Sequence, residues 1–362
     1  MAENTARRDA DKFPCPACGG GMFFDPESGG MKCEFCENTI EFEKEGEGIK
    51  EYDFFDAPTE PVDDEAWGEN ISIKCSNCGA ETILNPEAIS DFCAFCGSAH
   101  IVKQDQISGI PPESVLPFAI TRKIAKQSFR HWLRKRFFAP RALKTETSVA
   151  KLNGTYVPYW TYDSSVSYVY SAQAGTHYNV TAYRTVGSKR ESYQQQKTRW
   201  RNVHGNSKKD FDDIQIRATD KVPPNILGGL EPFPLKDLAV FKPEFLSGFI
   251  AERYSINLQD GWESAKQKIN SDLESEIRDA VAADEVRDVK LACTYNNVLY
   301  KHILVPIWLS TYLFKDKTYQ IMVNGANGRV SGTAPVSVGK VILTVFVVLA
   351  IAAALFFILS IT

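Results

Sequence analysis

Hydrophobic positions recur along this chain in several regimes, and each regime predicts a different element. Between Thr121 and Phe138, Ile124, Phe129, Trp132, Leu133 and Phe137 fall at near-helical spacing. Thr121 is placed to cap the first turn, and Pro140 follows the last. A second helix is predicted over about Gln259 to Ala283, with Trp262, Ile269, Leu273, Ile277 and Val281 on one face. The stretches 154–222 and about 286–332 read as strands. In the first, Tyr156, Tyr159, Tyr162, Tyr168, Tyr170, Tyr178 and Tyr183 lie among Val and Thr, with Gly154, Gly175, Gly187 and Gly205 as punctuation. The proline-rich segment 223–245 predicts irregular wrapping.

The last regime has no period. From Val341 to Leu359 every residue is apolar except Thr344. Such a run spans about 28 Å as a helix at ~1.5 Å per residue, close to the thickness of a bilayer core. A buried core helix would keep a polar stripe, and this run has none. The expectation is a single transmembrane helix over 341–359, acting as a tail anchor in the cell membrane. Lys340 stands at its N-terminal edge with no charge beyond it, so the bulk of the chain is expected in the cytoplasm.

Composition is ordinary for a folded protein, 44% hydrophobic and 24% charged, with net charge -4. The distribution of charge says more. Glu37 to Glu69 holds thirteen Asp/Glu against Lys44 and Lys50, which predicts a solvated acidic linker. Phe54, Phe55 and Trp67 interrupt it and give it means to dock. Arg122 to Lys144 holds nine Lys/Arg and no acid.

Nine cysteines are present, and eight form four CxxC pairs. Met1 to Phe13 has no apolar core and so no secretory signal, which favours metal in a reducing compartment over disulfides. The pairs assemble into two modules of one spacing, C-x2-C-x14-C-x2-C: Cys15, Cys18, Cys33 and Cys36, then Cys75, Cys78, Cys93 and Cys96. Four thiolates suit tetrahedral Zn²⁺, so two structural zinc ions are expected; an iron–sulfur cluster and a redox dithiol are the alternatives. Four protein ligands leave no open position, which points to structure rather than catalysis. Cys293, alone in a predicted strand, reads as a buried structural thiol.

The predicted organisation is α+β. Residues 1–13 are read as disordered, 14–42 as zinc ribbon 1, 43–70 as acidic linker and 71–103 as zinc ribbon 2. A β-rich α+β domain follows over 115–335, and the transmembrane helix over 341–359. The ribbons repeat with a period of 60. A weaker echo relates Val157-Pro158-Tyr159-Trp160 to Val305-Pro306-Ile307-Trp308, each downstream of a predicted helix, and raises a duplicated helix-plus-sheet unit.

A search for catalytic patterns finds none. Gly332 to Gly339-Lys340 fails the P-loop spacing, and HExxH, GxSxG and GxGxxG are absent. His100, His131, His177, His204 and His302 have no partner at helical metal spacing and read as surface or core residues. The expectation is a non-enzyme. The basic stretch Arg122–Lys144, with Phe129, Trp132, Phe137 and Phe138, could meet anionic lipid headgroups, nucleic acid or the acidic linker; the apolar tail favours lipid over nucleic acid. Lys189, Arg190, Lys197, Arg199 and Arg201 form a second basic stretch, compatible with a charged hairpin edge.

The tandem cysteine modules, VPYWTYD at 157–163, VPIWLSTY at 305–312, TYQIMVNGANGRVSG at 318–332 and the terminal apolar helix together resemble a family of uncharacterised bacterial membrane-anchored tandem zinc-ribbon proteins. This YdjG-like family is often labelled as carrying a TFIIB-type zinc ribbon, or as primosomal-helicase-like. The resemblance implies a non-enzymatic envelope-stress adaptor that recruits stomatin/flotillin-like or phage-shock-protein-A-like proteins. The remaining alternatives are a membrane-tethered nucleic-acid-binding ribbon protein and an enzyme with a site assembled from 150–330.

Overall fold

The computed structural model describes residues 13–42, 49–58, 71–84, 93–96, 98–99, 101–104, 109–140, 152–186, 189–314 and 317–361. Of the predicted disordered segment 1–13, residues 1–12 lie outside these, as do parts of the acidic linker and of the second cysteine module; Phe13 is ordered, its carbonyl accepting from Met22 N and its ring packed on the core. The architecture is α+β, mostly sheet. In chain order come β1 (Met22–Asp25), β2 (Gly30–Cys33), β3 (Thr39–Glu41), β4 (Tyr52–Asp53), β5 (Ile71–Cys75), β6 (Glu81–Leu84), β7 (Ile101–Gln104) and β8 (Ser114–Val115). Helix α1 (Arg122–Lys135) precedes β9 (Asn153–Val186) and β10 (Lys189–Arg217); α2 (Pro224–Gly228), β11 (Ala239–Val240) and β12 (Ile250–Glu252) follow. The chain continues through α3 (Leu258–Ala280), β13 (Glu285–Phe314), β14 (Lys317–Asn324), β15 (Val330–Gly332) and α4 (Val338–Ile361). Strands β1–β3 form a small sheet, and the other twelve form one large sheet.

Three strands of 34, 29 and 30 residues, β9, β10 and β13, organise the large sheet. At ~3.3 Å per residue, β9 alone has a contour of about 110 Å. Its sequence changes along this length as its surroundings change. Thr155 to Tyr162 is buried at every position, under elements on both faces. From Val166 to Ala174 burial alternates: Val166, Tyr168, Ala172 and Ala174 are buried, while Ser167 and Val169 face solvent. The buried face there lies under α3, which contributes Leu258, Trp262, Ala265, Ile269, Leu273 and Ile277 at helical spacing. Beyond Gly175 the strand is polar, and no described residue from Thr176 outward is buried. Of the glycines expected to punctuate strands, Gly154, Gly175 and Gly205 instead lie within long ones, and Gly187 lies outside the described residues. At Gly205 a Cβ would stand 2.5 Å from the Tyr170 ring, so a neighbouring aromatic takes the space.

The VPxW echo has a geometric counterpart. Strands β9 and β13 run antiparallel with Val157 opposite Val305, so the two motifs flank a local twofold axis. Around that axis the contacts match one for one. Strand β8 pairs in parallel with β13 at Ile303–Leu304, and β12 pairs in parallel with β9 at Thr155–Tyr156. Trp308 Nε1 donates to Ile120 O at 2.7 Å, just before the α1 cap, and Trp160 Nε1 donates to Ile256 O at 2.9 Å, just before the α3 cap. Gly325 O accepts from Ala119 and Ile120, as Ala218 O accepts from Ser255 and Ile256. The body is therefore two copies of a strand–helix–hairpin unit, β8–α1–β9–β10 and β12–α3–β13–β14. They differ chiefly in hairpin length.

Three bulges interrupt the long ladders, between Phe211/Ile214, Arg287/Lys290 and Asn296/Leu299. Each contains an Asp or Asn at positive φ: Asp213, Asp288 and Asn297. Short polar side chains tolerate that left-handed backbone, which lets one strand bend without losing its partner.

Candidate metal centres

Each cysteine module is built from two knuckles, and in the first they stand at the ends of a short hairpin. In the first, Cys15 N donates to Gly20 O and Gly19 N to Cys15 O, with Gly19 at φ 72. Strands β1 and β2 return the chain to Cys33, whose N–H bonds Asn38 O. The second module repeats this: Cys75 N to Ala80 O, Gly79 N to Cys75 O with Gly79 at φ 70, and Cys93 N to Ser98 O. The tight turn needs a left-handed residue, and glycine supplies it without strain.

All eight predicted cysteines converge as expected, in two groups of four whose sulfurs lie within 4.8 Å of one another. Cys15–Cys36 and Cys18–Cys33 approach to 3.6 and 3.5 Å, and Cys75–Cys96 and Cys78–Cys93 to 3.6 and 3.7 Å. A tetrahedral ion with ~2.3 Å metal–sulfur bonds separates its ligands by roughly 3.8 Å, whereas a disulfide needs about 2.05 Å. The donor set therefore fits a single metal ion in each module. N–H groups support the sulfurs from outside. Asn38 Nδ2 donates to Cys15 Sγ at 3.8 Å and Asn77 Nδ2 to Cys96 Sγ at 3.6 Å. Burial works to raise the Cys96 thiol, but hydrogen bonds from Asn77, Ser98 and the neighbouring cysteines outweigh it and lower it to about 7, while burial pushes Cys78 up to about 11 and raises Cys93 in the same group. Cys293 is half-buried on β13, away from both groups, and burial pushes its thiol up.

The two modules attach differently. The first docks through side chains and one backbone hydrogen bond, Phe24 N to Ser247 O at 3.3 Å. Phe24 packs on Phe42, Phe245 and Phe249, and Ser247 Oγ donates to Met22 O at 3.0 Å. The second is continuous with the large sheet: β6 pairs with β12 at Ile83–Ala251, and Arg253 bridges to Glu81 at 2.6 Å. Gln320 Nε2 also donates to Phe95 O inside its second knuckle loop.

The large sheet also assembles polar groups that no local motif announces. Lys301, nearly buried, bridges Glu51 at 2.8 Å and Asp213 at 2.7 Å. Beside them burial and those carboxylates push Asp163 up to about 6. The described part of the acidic linker, 49–58, is thus docked: β4 pairs with β13, and Phe54 packs on Tyr162 and Trp262. Glu252 is fully buried, accepts from Thr219, and is pushed by burial up to about 8. His302 is a core histidine against Trp160 and Tyr254, with Nδ1 2.8 Å from Ile110 O; burial holds it down at about 4. His131 and His204 are exposed, His177 faces Glu285 at 2.8 Å, and His100 lies outside the described residues.

Helix α4 is the membrane candidate. Val338–Leu359 has a mean hydropathy of 3.1 and no residue buried against the rest of the protein, so length and composition suffice for a bilayer crossing.

Two four-cysteine groups, a duplicated β-rich body and one exposed apolar helix define a tandem cysteine-ribbon protein with a candidate single span. The chain is similar to the uncharacterised protein YdjG of Bacillus subtilis (strain 168), with 29% identity over 338 residues and 91% of each chain covered. No family model matches the chain. No solved structure matches it.

Proposed function

We propose that this protein is a non-enzymatic membrane-anchored adaptor, with Zn²⁺ in both four-cysteine groups, α4 as its tether and the sheet as a platform for protein partners. The observation that carries this reading is the β9–β10 hairpin. Its third strand ends at Glu285 opposite Gly175, and α3 ends at Ala280. From there Thr176–Val186 pairs with Lys189–Arg199 as a bare two-stranded ribbon, about 36 Å long at ~3.3 Å per residue. A ribbon with no core beneath it adds little to stability and leaves both edges open, which suits an element made to contact something else. Its surface carries Tyr178, Tyr183 and Tyr193, partly overlaid by Arg199 and Arg190. Tyrosine and arginine, with tryptophan, are enriched among the residues that carry most of the binding energy at protein interfaces. Closed four-thiolate sites support a structural role for the metal. The resemblance to envelope-stress adaptors suggests stomatin/flotillin-like or phage-shock-protein-A-like partners, with the ribbons and body in the cytoplasm.

Because Gly175 and Trp200 are paired, an Asn-Gly turn can replace 176–199 and close the shortened hairpin. Crosslinking and capture from native membranes should recover partners with the intact chain and lose them with this variant. Identical partner sets from both would sink the arm's role.

A second reading, nucleic-acid binding, draws on the charge of the same arm: Arg184, Lys189, Arg190, Lys197 and Arg199 against Glu191. It expects salt-dependent binding of RNA or DNA by the intact protein and loss of that binding with the shortened arm.

A further inference from the structure

The C-terminal end of α1 is joined to the start of α4. Lys340 Nζ donates to Phe137 O at 2.9 Å and to Ala139 O at 2.7 Å, and Ser337 N donates to Phe138 O at 2.8 Å. The last turn of the basic helix and the segment after it are therefore held where the apolar helix begins. If α4 crosses a bilayer, this junction lies in the headgroup region, since Lys340 is the last charged residue before nineteen residues with none.

The junction presents two chemistries. Phe137 is 65% exposed and Phe138 39%, edge to face at 5.3 Å, with Val336 and Val338 exposed nearby. These exposed apolar groups flank an exposed apolar helix and would be costly in water. Around them stand Arg134, Lys135 and Arg136, all exposed, together with Lys340. Arg136 lies over the Trp132 ring at 3.9 Å, while Arg134 and Lys135 have no acidic partner among the described residues. Acid is missing from the neighbouring sequence as well. None occurs in Arg122–Lys144, and none follows Asp316. The opposite face of α1 is committed to the body through Ala125, Phe129 and Leu133, so the helix cannot turn its cations away.

From this we infer that the last turn of α1, with Phe137, Phe138 and Lys340, is a bilayer-facing site for anionic phospholipid headgroups. The inference rests on the membrane-anchored reading of α4. Phe137 and Phe138 enter the interface as aromatic anchors, and Arg134, Lys135 and Arg136 meet the lipid phosphates. Lys340 acts as a clamp through backbone carbonyls, and its charge adds to the site.

The test uses the full chain in nanodiscs of mixed phosphatidylglycerol and phosphatidylcholine, with retained lipids counted by native mass spectrometry after release. The intact protein should retain phosphatidylglycerol over phosphatidylcholine. Arg134→Glu with Lys135→Glu should reduce that preference at least about tenfold, a cation near an anionic surface being worth roughly fivefold. Metal content should be unchanged, and melting should fall only slightly, because neither residue touches the core and the cost is that of two acids at a helix C-terminus. Phe137→Ser should weaken retention of both lipids and leave the preference intact. Equal retention of the two lipids by the intact protein, or an unchanged preference in the double variant, overturns the proposal. So does loss of RNA binding in that variant with no change in lipid retention, which would assign the basic face to nucleic acid. Alkaline carbonate extraction from cells separates the two levels: release of the intact chain refutes the span itself, whatever the nanodiscs show.

Discussion

Val157 and Val305 face each other across the centre of the sheet, and the two halves of the body are arranged about that pair. The relationship gives Trp160 and Trp308 one task. Each reaches from one unit to the backbone just before the other unit's helix, with Trp160 against Tyr254 at 5.1 Å and Trp308 against Phe118 at 5.0 Å. Trp160→Phe and Trp308→Phe each remove an indole donor and leave a carbonyl orphaned, at a cost of about 1–3 kcal/mol. Chemical denaturation of the full chain in detergent should give similar losses for both. A large loss for one and none for the other would mean that the two units are not energetically equivalent.

The two metal sites should differ in what their loss disturbs. Cys18→Ser and Cys78→Ser should each lower bound zinc from two ions per chain to one, measured by metal release with a colorimetric chelator. Damage from the first should stay local, because β1–β3 form their own sheet and meet the body through the Phe24 ring contacts and two hydrogen bonds at Ser247, not through strand pairing with the large sheet. Damage from the second should spread into β12 and β9, because β6 pairs with β12 at Ile83–Ala251. Hydrogen exchange over 153–160 reports the difference: faster in Cys78→Ser and unchanged in Cys18→Ser.

What was legible in the sequence was whatever depends on local spacing. The cysteine knuckles, both long helices and the apolar tail follow from patterns a few residues wide. The structure places them at Arg122–Lys135, Leu258–Ala280 and Val338–Ile361, within a few residues of expectation. Strand content in 154–222 was also legible, but its division was not. Glycine usually ends a strand, yet Gly175 and Gly205 here make room for Trp200 and Tyr170 on the neighbouring strand. The VPxW echo hinted at duplication, but only its register shows that the copies face each other. The docking of Glu51 on Lys301 was invisible, because the two lie 250 residues apart.

Lys301 makes its own prediction. Its ammonium stands between Glu51 and Asp213, with Asp163 behind them. Lys301→Met leaves these carboxylates crowded in a partly desolvated site and should destabilise the protein by about 3–5 kcal/mol. Glu51→Gln removes one arm of the cluster and should be milder. Its signature is faster proteolysis within 49–58, where the linker would lose its hold on β13. Equal destabilisation by the two changes would show that Lys301 serves mainly to hold the linker.

Glu252 makes stability depend on pH in a direction opposite to ordinary acid denaturation. Its folded pKa, raised by burial to about 8, exceeds the ordinary carboxyl value of 4.5. The folded protein therefore keeps a proton that the unfolded chain releases, and the stability this confers falls as pH rises from about 4.5 through 8. Asp163 acts in the same sense but only up to about 6. His302 acts oppositely, removing stability as pH falls from 6.5 toward about 4, because the folded core holds it neutral. Of these three groups, only Glu252 carries a slope above pH 6.5, of about 1.4 kcal/mol per pH unit. Glu252→Gln keeps the Thr219 hydrogen bond and abolishes that slope. Melting curves of the full chain between pH 6.5 and 8 should therefore diverge, with the variant gaining about 2 kcal/mol over the parent across the interval. Parallel curves would mean that Glu252 is ionised in the folded state, stabilised there by a partner that replaces the proton.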